Sequence, residues 1–126
     1  MTQATAAAQY RRNAILTASP EKLVKLLYEG AIRHLERGRA ALADPKTSHS
    51  ADASESLSKA YAIVSELRTA LDHDASREIA GNLDRLYEFT LQQITQANLD
   101  RAPPPLEHGL QVMRTLKEGW DAVLPA

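Results

Sequence analysis

The chain of 126 residues contains no cysteine. Disulfides, zinc–thiolate centres and thiol nucleophiles are thereby excluded. Aromatic residues are scarce, with one Phe, one Trp and four Tyr. The five glycines form no Gly-x-x-x-x-Gly-Lys loop, so phosphate-cradling nucleotide binding lacks its central element. Neither sign of charge is in excess: 15 basic residues stand against 16 acidic ones, for a net charge of −1. No Lys/Arg run occurs, so nothing recruits nucleic acid or an anionic bilayer surface. No apolar run approaches the roughly 20 residues that span a membrane, and no insertion is expected. The opening MTQATAAAQYRRNAIL lacks a basic start followed by an apolar core. No secretory signal is read there, and the expected address is cytoplasmic.

What is present is a helical apolar period, with no sustained alternation of the kind a strand requires. An apolar fraction of 44% and a charged fraction of 25% fit one globular domain, able to bury about two-thirds of its unfolded surface. The spacing predicts a first helix from Pro20 to about Leu42, with Ser19 as cap and Leu23, Leu26, Leu27, Gly30, Ala31, Leu35, Gly38 and Leu42 inward. Asp44-Pro45 stops it. The polar KTSHSADAS reads as a loop, and Asp52 with Glu55 fits a capping box for a second helix. That helix turns Leu57, Ala60, Tyr61, Val64, Leu67, Arg68 and Leu71 to one side. Ser76 caps a third, with Ile79, Leu83, Leu86, Tyr87, Leu91, Ile94 and Ala97 on one face. After Ala102-Pro103-Pro104-Pro105 a fourth presents Leu106, Leu110, Met113, Leu116 and Trp120. Short links between long helices imply an all-α, antiparallel up-down four-helix bundle over residues 19–126.

Residues 1–18 stand outside this pattern and are expected to form a flexible N-terminal segment. Tyr10, Ile15 and Leu16 are three large apolar groups on it, and are candidates for a lid. The helices also carry apolar residues beyond their main stripes: Tyr28 and Ile32, Ile63, and Phe89 with Leu99. Part of this surplus is what a bundle helix with two neighbours needs. The remainder suits grooves between helices that await a partner's helix or extended segment. Tyr28, Ile32, Ile63 and Phe89 are the groove candidates.

Catalytic and metal chemistry find little support. A di-iron bundle needs inward Glu-x-x-His pairs, and the chain has none. No nucleophile elbow or His-Glu-x-x-His occurs either. No cofactor and no enzyme activity is expected. His34, with Arg37 three residues on and Gly38 four residues on, resembles the exposed histidine of a phosphotransfer bundle. Glu36, however, puts a carboxylate where that family has an apolar residue, and its charge would repel a phosphate. A phosphotransfer protein centred on His34, or an adaptor bundle with another client, are the alternatives.

Tyr10, then Thr17-Ala18-Ser19-Pro20, then Leu23-x-x-Leu26-Leu27-Tyr28-x-Gly30-Ala31-Ile32 resembles the signature of the flagellin-specific export chaperone family, FliS. The likeness continues in Lys59-Ala60-x-x-Ile63-Val64-x-Glu66-Leu67-x-x-x-Leu71-Asp72. It runs on through Ile79-Ala80-x-Asn82-Leu83-x-x-Leu86-Tyr87, Ala97-Asn98 and Leu116-x-x-x-Trp120. The resemblance implies a cytoplasmic chaperone that binds the disordered C-terminal segment of flagellin. It further implies that binding prevents premature polymerisation and aids delivery to a protein of the flagellar type III export gate. Tyr10 matches the family's N-terminal tyrosine, used near the client site and in export-gate contacts. The free chain is expected to be a monomer or weak homodimer.

Overall fold

The computed structural model describes residues 20–123. Among them are four helices and no strand: α1 (Pro20–Ala43), α2 (Ala51–Thr69), α3 (Arg77–Asp100) and α4 (Pro104–Val123). Tyr10, Ile15, Leu16 and Ser19 lie outside the described residues.

The links show why each helix starts and stops where it does. After Ala43 the chain turns at Asp44, whose carboxylate accepts the Lys46 amide at 2.9 Å, while Thr47 Oγ1 donates to the Ala41 carbonyl at 2.7 Å. Carbonyls left open by the end of α1 are thus partly satisfied from the turn itself. α2 begins earlier than a capping box at Asp52 predicts. Its cap is Ser50, whose hydroxyl accepts the Ala53 amide at 3.1 Å. Glu55 faces along the helix to Lys59 at 2.8 Å instead of back to the cap. Ser76 caps α3 as expected, accepting the Ile79 amide at 3.2 Å. Pro104 and Pro105 occupy the first turn of α4, where no backbone donor is required. The Pro103 carbonyl receives the Leu106 amide at 2.9 Å.

Around the bundle α1 packs on α2, α2 on α3, α3 on α4, and α4 back on α1. Cross-links show that neighbours are antiparallel. Lys25 and Glu36 of α1 pair with Asp121 and Arg114 of α4, early with late and late with early. α1 and α2 approach closely at two glycines. A Cβ on Gly30 would lie 3.2 Å from Ile63 Cδ1, and one on Gly38 3.1 Å from Leu57 Cδ2.

The core follows spacings of three and four along every helix, as near-antiparallel packing demands. Tyr28, Ala31, Leu35 and Leu42 are buried from α1, and Leu57, Ala60, Val64 and Leu67 from α2. Tyr87, Leu91, Ile94 and Ala97 come from α3, and Leu106, Leu110 and Met113 from α4. Four positions differ from the expectation. Tyr28, expected at the outer edge of α1, is wholly buried, whereas Leu26, expected inward, is 55% exposed. Tyr61 and Ile79, also expected inward, are 43% and 60% exposed. In α1 the core stripe is thus rotated from the expected face, whereas Tyr61 and Ile79 are single exposures on helices whose stripes are otherwise buried or half-buried as expected.

Candidate functional site

Where α1 and α3 begin and α2 and α4 end, the four helices do not close on one another. They leave an apolar cavity of about 270 Å³, walled by Leu23 and Leu27, Leu67 and Leu71, Ile79 and Leu83, and Trp120. Tyr87 lines its inner side. The cavity adjoins the first turns of α1.

The polar end of Tyr87 belongs to a buried network that spans the bundle diagonally. Tyr28 and Tyr87 lie on α1 and α3, which are not neighbours, yet their hydroxyls meet at 2.6 Å. Their rings are 6.3 Å apart and tilted by 54°. Tyr28 is fully buried and Tyr87 nearly so, and either hydroxyl can donate in this bond. Burial pushes both phenols above their ordinary value. For Tyr28 this rise is opposed by the Tyr87 hydroxyl and by the nearby Trp120 indole. For Tyr87 the negative charge of an ionised Tyr28 adds to it. Both stay neutral wherever the protein works.

A second concavity runs along the seam of α2 and α3. Two hollows, of about 340 and 400 Å³, share Tyr61 and Thr95. Cross-links close the two ends. At one, Arg68 Nε donates to Asp84 at 2.7 Å and its guanidinium lies 3.7 Å from Glu88. The hydrogen bond from Arg68 holds the Asp84 carboxyl below the usual carboxylate range. At the other, Arg101 donates to Asn98 at 3.0 Å and to Ser54 at 2.6 Å.

His34 shares a third hollow with Arg37, Asp52, Glu55 and Lys59, between α1 and α2. Burial lowers its pKa first, and the positive charges of Arg33, Lys59 and Arg37 lower it further, with Glu55 opposing. Two carboxylates, of Asp52 and Glu55, share this hollow with His34 and would repel a phosphoryl group placed on it. Their repulsion counts against phosphotransfer.

The four groove candidates do not converge. Tyr28 is inside the core. Ile32 is half-buried, in helical register with Lys25 and Glu36 on the α4 side of α1. Ile63 is half-buried and packs over Gly30. Phe89 alone is exposed, at 38%. Neither the end cavity nor any of the three hollows described above is lined by any of them. Residues that do line the end cavity, such as Leu23, Leu67 and Leu83, read in sequence as ordinary stripe positions. The signal that marks them is placement at helix ends, where a stripe has no following turn to cover it.

The family described as Flagellar protein FliS matches the chain over residues 1–126. The chain belongs to the FliS family. A relative described as Flagellar secretion chaperone FliS, from Vibrio cholerae, is 39% identical over 108 residues, covering 86% of this chain and 77% of the relative. FliSB of Pseudomonas aeruginosa is 32% identical over 106 residues, covering 84% of this chain and 82% of its own. FliS of Salmonella typhimurium is 32% identical over 114 residues, covering 90% and 82% respectively. The family match over residues 1–126 takes in every residue of the end cavity of this FliS-family bundle. Among the described residues, no helix is long and apolar enough to cross a membrane.

Proposed function

We propose that this FliS-family protein is a cytoplasmic chaperone for flagellin. It binds the disordered C-terminal segment, keeps it from premature polymerisation and aids its delivery to the flagellar type III export gate. Family membership makes a flagellar export client the expected partner, and the observation that carries the reading in the fold is the open apolar cavity at the bundle end. A disordered client loses chain entropy on ordering and needs apolar contact to compensate. The cavity, together with exposed Leu26, Ile79, Phe89 and Leu99, offers such contact on a protein otherwise covered by balanced charge. No nucleotide-binding loop occurs in the sequence, so release is assigned to competition at the gate.

Tyr10, Ile15 and Leu16 enter this reading as a lid. The cavity adjoins the first turns of α1, and these three apolar groups, which precede that helix in the sequence, are of the kind the cavity accepts. In the client-free state they cover it; client binding displaces them, and Tyr10 becomes available to the gate.

Calorimetric titration with the last segment of about 60 residues of the same species' flagellin tests the reading. Stoichiometric binding with a large negative heat-capacity change is the expected result, the mark of apolar burial coupled to folding. A folded bundle that takes up no heat with this segment would overturn the flagellin assignment.

A further inference from the structure

We infer that the groove between α2 and α3 receives a client segment that places a carboxylate against Arg101. This rests on the chaperone reading and names one part of the client surface and its chemistry.

Two arginines bridge the groove, one at each end, and they differ in a way that stability alone does not explain. Arg68 is neutralised by Asp84 and Glu88. Arg101 is tied to two neutral oxygens, of Asn98 and Ser54, and no carboxylate pairs with it among the described residues. Two of its five N–H donors are engaged, and three remain. A guanidinium held at a fixed place with its charge uncompensated and its donors in a fork is the arrangement that recognises a carboxylate.

The backbone adds a second observation. Arg101 has φ 50° and ψ 45°, the left-handed conformation, and is the only non-glycine residue with positive φ among those described. This helix-ending position favours glycine, which has no Cβ to crowd the carbonyl. An arginine here works against the local conformational preference while presenting its side chain across the groove mouth.

The shape of the groove selects a peptide over a small ion. From Ser54 to Arg68 along α2 is about 21 Å of helix axis. The lining between mixes Ser58, Thr95 and Gln92 with Leu57, Ile94 and the half-exposed Tyr61 ring. Such a lining takes both apolar and hydrogen-bonding groups of a peptide without demanding charge. Charge is set at the ends: one positive unit at Arg101, and an excess of one negative at Arg68 with its two carboxylates. A segment with an acidic residue at the Arg101 end and a basic one at the Arg68 end is complementary, so the groove also sets the direction in which the client lies.

The full chain and its Arg101→Gly and Arg101→Lys forms test this by titration with the same flagellin C-terminal segment at low and moderate sodium chloride. Glycine loses the two neutral cross-links and relieves the left-handed backbone. These are opposing effects, so the melting temperature stays within a few degrees. Affinity is expected to drop about tenfold for Arg101→Gly at low salt, the size of a lost charge-assisted hydrogen bond. Arg101→Lys loses less. The unsubstituted chain and the lysine form lose affinity with salt more steeply than the glycine form. Equal affinity of the unsubstituted and glycine chains overturns the inference and leaves the chaperone reading standing. A weaker glycine form with an unchanged salt slope also overturns it, since groove shape and not charge would then be responsible. No binding by the unsubstituted chain overturns the chaperone reading, and the inference with it.

Discussion

Tyr28 and Tyr87 share one buried hydrogen bond across the bundle, and each hydroxyl depends on the other for it. In Tyr28→Phe the Tyr87 hydroxyl loses its partner. In Tyr87→Phe the buried Tyr28 hydroxyl loses its partner. Each single change is expected to cost about 1–3 kcal/mol, with the double change costing less than the sum, because the second substitution removes a group the first has already stranded. Chemical denaturation of the four proteins reads this directly. The same pair predicts an alkaline limit to stability. An unfolded tyrosine loses its proton near 10.0, whereas both folded phenols hold theirs to higher pH. Above that value the unfolded state binds fewer protons, so stability falls as pH rises, by up to about 1.4 kcal/mol per unit for each tyrosine. Unfolding midpoints above pH 10 should fall less steeply for the double phenylalanine variant than for the natural chain. At Gly119 nothing lies within 4 Å of an added Cβ, and the residue sits exposed inside α4. Gly119→Ala should raise stability by about 0.5–1 kcal/mol, seen as a higher melting temperature.

Among the elements, α1 and α2 make the tightest approach. Leu57 is buried and has little room to retreat from a methyl on Gly38. Gly38→Ala is expected to lower stability by about 1–3 kcal/mol, the opposite sign to the same substitution at Gly119. A thermal melt of the two variants side by side tests both. The helices themselves were legible in the sequence, since four stripes with Pro or Ser at their edges admit little else. The phase of α1 was not. Leu23, Val24, Leu26, Leu27 and Tyr28 cover more than half of the helix circumference, so several rotations bury nearly the same apolar area. The rotation that buries Tyr28 is favoured by a partner 59 residues away in sequence, which periodicity cannot see. The start of α2 was ambiguous for a local reason: Ser50 and Asp52 both cap well, and Ser50 prevails because it lets Ala53 enter the core. The candidate site was legible only in kind. Surplus apolar surface was expected, but its main concavity is made by four helix ends at once, and no one segment carries that signal. Arg101 gave no sign of its left-handed backbone, because glycine is the residue that usually announces it.

For the whole molecule, the decisive property is that the core stops short at one end. The leucines of that end have finished pairing with neighbouring helices and still face open space. If the lid reading holds, removing residues 1–16 relieves the client of displacing them, and affinity for the flagellin segment rises severalfold in titration. If those residues only brace the bundle, the shortened chain melts earlier and binds no better. The two results differ in sign and are read from one preparation.

Trp120 gives the protein an optical consequence. It is the sole tryptophan of the chain, it is half-buried, and one side of it faces the end cavity. Its emission colour is set by how much water reaches that wall. Any segment that fills the cavity, whether the chain's own or a client's, shifts the fluorescence towards the blue without an attached dye. Filling and emptying can therefore be timed in a stopped-flow mixer on the natural protein.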